Sequence, residues 1–82
     1  MKINVLVFGP LAQRAGCRMI MLDLPDGCVT CRQVRAALVQ TVPRLAEVLP
    51  GCRLAVNHEY ADDDRVVTGQ DEVALIGMVS GG

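Results

Sequence analysis

Val29-Thr30-Cys31-Arg32-Gln33-Val34-Arg35-Ala36-Ala37-Leu38 decides how this chain folds, because here every local signal agrees on a helix. Thr30 can accept from the backbone three residues on while Gln33 reaches back to it, which is a capping box. Val29 before the cap and Val34 after it make a hydrophobic staple. Cys31, Val34 and Leu38 recur at three- and four-residue spacing, with Arg32, Arg35 and Gln40 pointing away. The spacing predicts a helix from about Cys31 to about Thr41 that stops before Pro43. A second helical turn is expected over Arg44 to Leu49, closed by Pro50-Gly51.

On both sides of this helix the pattern changes to the period of two that marks strands. Upstream, Lys2 to Phe8 puts Ile3, Val5 and Val7 on one face, with Lys2, Asn4, Leu6 and Phe8 on the other. Gly9-Pro10 breaks it, and Leu11 to Gly16 reads as a connection too short for a crossover, so the next strand returns antiparallel. That strand is Arg18 to Leu24, with Ile20, Leu22 and Leu24 opposite Met19, Met21 and Asp23, and Pro25-Asp26-Gly27 turns the chain toward the helix.

Downstream, Cys52 to Tyr60 reads as one strand with Leu54, Val56, His58 and Tyr60 opposite Arg53, Ala55, Asn57 and Glu59. Asp62-Asp63-Asp64 and Gly69-Gln70-Asp71 make turns, with at most a short strand at Arg65-Val66-Val67 between them. Glu72 to Met78 is the last strand, and being apolar on both faces it belongs in the centre of the sheet. The order β-β-α-β-(β)-β makes an α+β domain, with one main helix packed on one face of a mixed sheet. Residues 1–78 form the domain and 79–82 a flexible tail, which leaves from beside the first strand and reaches about 13 Å when extended.

Composition narrows the function. The 82 residues make one domain, hydrophobic residues reach 51%, and so small a chain has little room for a deep private cavity. A net charge of −1, with basic residues scattered and only Phe8 and Tyr60 aromatic, argues against nucleic acid. No stretch approaches the roughly 18 apolar residues of a membrane span, and the opening residues lack signal-peptide architecture. The expected location is therefore cytoplasmic. In that setting Cys17, Cys28, Cys31 and Cys52 are expected as reduced thiols.

With the element order in hand, the C-terminal third carries a resemblance. Ala55-Val56-Asn57, Thr68-Gly69-Gln70-Asp71-Glu72-Val73-Ala74 and Val79-Ser80-Gly81-Gly82 resemble the small, sulfur-carrying subunits of molybdopterin synthase, and Val5-Leu6-Val7-Phe8 with Gln13-Arg14-Ala15-Gly16 fits their opening strand and loop. Gln70 interrupts the usual glycine-aspartate turn, and Gly77-Met78 stands where the family commonly has two prolines. The resemblance implies the β-grasp, ubiquitin-like fold and no bound cofactor. It also implies an activating enzyme of the ubiquitin-activating type that uses ATP to adenylate the terminal glycine. Sulfur then replaces AMP, leaving a 1-thioglycine thiocarboxylate. A large synthase subunit takes up the tail and holds the cyclic pyranopterin that receives the sulfur, in an assembly of two small and two large subunits. On this chain the reacting group would be the carboxylate of Gly82, with Gly81 as spacer; Phe8, Tyr60, Ile76, Val79 and Ser80 would contact the large subunit.

The residue types suit that chemistry. A terminal carboxyl, with a pKa near 3.5, is ionised at neutral pH and can attack an α-phosphate. Two glycines thread a narrow channel and adopt backbone angles closed to other residues. Other readings remain open: a carrier for thiamine synthesis or tRNA thiolation, a ubiquitin-like modifier, or a redox or metal module built on Cys28-x-x-Cys31. That pair lacks the parallel strand-helix-strand setting of thioredoxins, and zinc would need two further ligands, so no metal site is assigned. His58 stands alone and reads as a structural or rim residue.

Overall fold

The computed structural model of the chain describes residues 1–77. A five-stranded mixed sheet runs in the order β2-β1-β7-β4-β5, formed by Met19–Asp23, Lys2–Val7, Val73–Gly77, Cys52–Val56 and Glu59–Ala61. A small two-stranded sheet joins β3 (Val29–Thr30) to β6 (Val66–Val67). The last described strand, β7, lies in the centre as expected: β1 runs parallel to it on one side and β4 antiparallel on the other.

The main helix, α2 (Cys31–Thr41), has the expected bounds and the expected start. The Gln33 amide donates to Thr30 Oγ1 at 3.3 Å, and the Thr30 amide donates back to Gln33 Oε1 at 2.8 Å. Two further free amides of the first turn are met from outside the helix, Cys31 N–H by the Arg65 carbonyl and Arg32 N–H by the Asp63 carbonyl. The acidic run therefore closes the helix start with its backbone, which a reading of it as a solvated turn does not capture. Cys31, Val34 and Leu38 are buried together with Val29, Ile3, Val5, Leu22, Leu54 and Leu75 in one core between helix and sheet.

Several expectations need correction. The stretch expected as a connection is a short helix, α1 (Gly9–Ala15), with Pro10 in its first turn and Gly16 at φ 80° as its left-handed stop. Leu11 and Ala15, one turn apart, bury its inner side, so Gly9-Pro10 starts a helix where it was read as a break. In place of the turn over Arg44 to Leu49 stand two 3-10 turns, Pro43–Leu45 and Leu49–Gly51, which sink Leu45 and Leu49 into the core. Arg35 does not point away. It lies half-buried and donates to the Leu49 and Cys52 carbonyls at 2.7 and 2.9 Å, tying α2 to the start of β4.

The largest correction concerns Cys52 to Tyr60, which is a hairpin and not one strand. Asn57 and His58 take φ of 53° and 70°, the signature of a two-residue type I′ turn, and the chain reverses there. Tyr60 thus pairs with Ala55 and lies on that residue's face, opposite Leu54 and Val56. The turn is held to the start of β7 by polar contacts. Asn57 Nδ2 donates to Asp71 Oδ1 at 2.9 Å, Glu72 N–H to Asn57 Oδ1 at 2.9 Å, and Thr68 N–H to Asp71 Oδ2 at 2.8 Å. The Thr68 N–H, then the Asn57 amide, hold the Asp71 carboxyl below its ordinary value of 3.8. His58 Nε2 lies 3.0 Å from Glu72 Oε2 in this exposed turn.

Two outcomes follow. Arg35→Ala is expected to lower stability in urea denaturation by about 1.5–3 kcal/mol, the range for hydrogen bonds to a charged group. Arg32→Ala, whose ion pairs to Asp63 and Asp64 are exposed, should shift it by less than about 0.5 kcal/mol. The Asp71 contribution is whole above pH 3.8, where the carboxyl is ionised both folded and unfolded, and fades as acid protonates the unfolded chain first. Thermal melts taken from pH 6 down to pH 3 should therefore fall less steeply for Asp71→Asn than for the parent, from a lower starting point.

Candidate functional site

Four of the seven residues assigned from sequence, Val79, Ser80, Gly81 and Gly82, lie outside the described residues, as does Met78. The structure shows the root from which they continue. At Gly77, the end of β7, the chain pairs with Cys52 on antiparallel β4, while parallel β1 stays beside β7 as far as Val7 with Leu75, so Phe8 follows level with Ile76. A Cβ on Gly77 would stand 3.4 Å from Leu11 Cδ1, at the near limit of ordinary contact, so the residue packs closely on α1. Where the family commonly has proline, this root is a glycine fitted against a leucine.

Beside the root lies an open cleft of about 570 Å³, lined chiefly by Phe8, Leu11, Val48, Cys52, Ile76 and Gly77. Its far wall is the 3-10 segment. Two arginines hold that wall: Arg14 Nε donates to the Arg44 carbonyl at 2.8 Å while Arg14 Nη2 meets Glu47 at 3.2 Å, and Arg35 grips Leu49 and Cys52 from the other side. The cleft is thus shaped by α1, the 3-10 turns and the end of β7 together.

The sheet face away from α2 is the second part of the site. Its register aligns Met19, Leu6, Ala74, Ala55 and Tyr60 in one row across all five strands. Every member of that row is apolar or aromatic. Phe8 is 57% exposed and Tyr60 55% exposed, unusual for the only two aromatic rings of the chain. Ile76 is half-buried opposite Arg53, and the Arg53 guanidinium lies 5.0 Å over the Tyr60 ring. The structure therefore brings Phe8, Ile76 and Tyr60 to one face, the first two at the cleft and the third beyond Arg53. Leu6, Met19 and Arg53 were not assigned from sequence. Alternation had put Met19 and Leu6 on outer faces, but their meeting in one row appears only once strand order and register are known.

The competing features read differently in three dimensions. Burial pushes the Cys31 thiol above its ordinary value, whereas a redox nucleophile at a helix start needs it lowered. Cys28 is exposed, Cys52 is buried with its thiol also pushed up by burial, and all four thiols are free. Among the described residues no group of three or more His, Cys, Asp or Glu is placed to hold a metal ion, and no helix is long and apolar enough to cross a membrane.

With this geometry in view, the likeness to known proteins is specific. The ThiS family matches residues 5–82. The molybdopterin synthase sulfur carrier subunit of Arabidopsis thaliana is 36% identical over 81 residues, 99% of this chain and 83% of that protein. SAMP1 of Haloferax volcanii superposes with a TM-score of 0.84 at 30% identity, each chain covered completely. The Helicobacter pylori molybdopterin-converting factor, solved as a complex of its subunits 1 and 2, gives a TM-score of 0.68 at 25% identity, again over both whole chains. These neighbours share the ubiquitin-like β-grasp fold, and the chain belongs to the ThiS family.

Proposed function

We propose that this protein is the sulfur carrier and small subunit of a molybdopterin synthase. The observation that carries this reading is full-length likeness to named carriers of that kind, joined to a central strand that leads from an exposed apolar face to a terminal Gly-Gly. An adenylyltransferase of the ubiquitin-activating type presents ATP, and a carboxylate oxygen of Gly82 attacks the α-phosphate, releasing pyrophosphate. A sulfide-level sulfur nucleophile then adds to the acyl carbon and gives up its proton to solvent, and AMP leaves with the former carboxylate oxygen. The product is a thiocarboxylate at Gly82, spaced by Gly81 from the side chains behind it. Neither step needs an acid or base from this chain; the fold's task is presentation.

In the second stage the open face and the cleft dock on the large subunit, two carriers with two large subunits, while the tail reaches its pyranopterin. Aromatic and aliphatic side chains that are already exposed bring contact area at low ordering cost, which suits Phe8, Tyr60 and Ile76, with Val79 and Ser80 following into the channel. The carrier works in the cytoplasm, and its only prosthetic feature is the 1-thioglycine it carries. A second reading has its own support: the chain is also similar to the small archaeal modifier protein 1 of Haloferax volcanii, with a TM-score of 0.84 at 27% identity. A modifier would spend the same adenylate on lysine amines.

Incubation with the activating enzyme, ATP and a sulfur source should add to the intact mass the increment of one oxygen-to-sulfur exchange, located in the C-terminal peptide. An unchanged mass with an activator proven on another carrier would sink the proposal, and lysine-linked adducts without exchange would favour the modifier. Ile76→Asp should weaken binding to the large subunit by at least about 30-fold, the loss of about 2 kcal/mol expected for a hot-spot residue, as read by calorimetry. Val66→Asp, on the small second sheet, should leave affinity unchanged.

A further inference from the structure

The outer edge of the main sheet is β2, and the register shows which of its backbone groups are free. Val7 N–H donates to the Arg18 carbonyl and Leu24 N–H to the Met1 carbonyl, so the residue pairs 7 and 18, 5 and 20, 3 and 22, and 1 and 24 are the hydrogen-bonded pairs of the β1–β2 ladder. Met19, Met21 and Asp23 alternate with these, and their N–H and C=O groups therefore point outward. Among the described residues no backbone partner meets them. The edge carries little of the usual protection: Met19-Ile20-Met21-Leu22-Asp23 holds no proline, no lysine and no bulge, its one charge is Asp23 at the end, and both methionines are at least half exposed. The opposite edge strand, β5, is only three residues long.

We propose that β2 pairs antiparallel with β2 of a second copy of this chain, about a two-fold axis through Met21, joining two sheets into one. Outward groups on both copies come from odd-numbered residues alone, which limits the registers. Placing Met21 opposite Met21 of the second copy, with Met19 opposite Asp23 on each side, forms six backbone hydrogen bonds and satisfies all twelve free groups. A slip of two residues either way leaves two facing pairs and four bonds. At the seam no like charges face each other: Met21 meets Met21, Met19 meets Asp23, and Ile20 meets Leu22 on the helix side. Asp23 keeps its cross-strand neighbour Lys2 within each copy.

An edge of five residues is short of a standard interface, so the pairing is weak and depends on concentration. It leaves the proposed function intact in both copies. Because β7 is parallel to β1 and β1 antiparallel to β2, the two-fold sends the two Gly77 ends in opposite directions, and neither cleft is covered. The pairing does not rest on the carrier reading; it stands on the backbone alone.

Sedimentation equilibrium and amide spectra of the full chain, taken from about 10 μM to about 1 mM, test the proposal. The mean mass should rise from one chain toward two, with shifts and slowed solvent exchange at the Met19, Met21 and Asp23 amides. Exchange at Ile20 and Leu22, already in the ladder, should stay as it is. Met21→Lys, whose side chain lies on the open face, should keep the parent spectrum yet sediment as one chain throughout, because two ammonium groups would meet at the axis. A single-chain mass at the highest concentration would overturn the proposal. So would association that survives Met21→Lys, or shifts centred on Ala74, Ile76 and Tyr60, or protection of the β2 amides that appears only when a large synthase subunit is added.

Discussion

β7 is hydrogen-bonded on both sides, and the rest of the molecule depends on that pairing. Parallel β1 and antiparallel β4 fix its register at Val5 with Val73 and at Cys52 with Gly77. Val73 and Leu75 are fully buried beneath α2, so a slip of one residue would turn them out onto the open face. The root of the tail is therefore positioned by a strand paired on both sides, although the chemistry proposed for it lies beyond the sheet. A carrier needs that combination, since its partners must find the same end in the same place at each visit.

The two faces of the sheet divide the work. One is closed by α2, whose first-turn amides are met by Thr30, Arg65 and Asp63, and whose Arg35 ties it to β4. The other stays open and carries an apolar row from Met19 to Tyr60, with Phe8 and Tyr60 exposed on it. In a lone monomer such a face would be a liability; beside a tail proposed to carry sulfur it is what a partner would cover. Gly77 against Leu11 replaces the stiffness that prolines would give the root with close packing.

Much of this was legible in the sequence, and the failures have physical causes. The α+β class, the central place of the last strand and the bounds of α2 followed from periodicity and capping, because those signals are local and agreed. The hairpin at Asn57-His58 was hidden because its two turn residues occupy one even and one odd place, so the alternation of Leu54, Val56, His58 and Tyr60 runs through the reversal unbroken. That one turn moved Tyr60 to the open face, where its assigned role as a contact residue is physically reasonable. Helix α1 was missed because Gly9-Pro10 signals a stop and a helix start alike, and only the burial of Leu11 and Ala15 decides. Of the candidate site, Phe8, Tyr60 and Ile76 were named from the family resemblance and lie on one face, but the row through Leu6 and Met19 and the Arg53 guanidinium over Tyr60 come from register, which no single strand encodes.

This chain is proposed to donate sulfur through Gly82 while its open face is docked on a large synthase subunit. The most direct test is a single-turnover reaction of thiocarboxylated protein with that subunit and the cyclic pyranopterin, following the dithiolene product by mass spectrometry with the carrier's sulfur isotopically labelled. Labelled sulfur is expected in the product, with the carrier returned to the plain carboxylate. Labelled carrier left unconsumed by a large subunit that turns over with another small subunit would contradict the proposal.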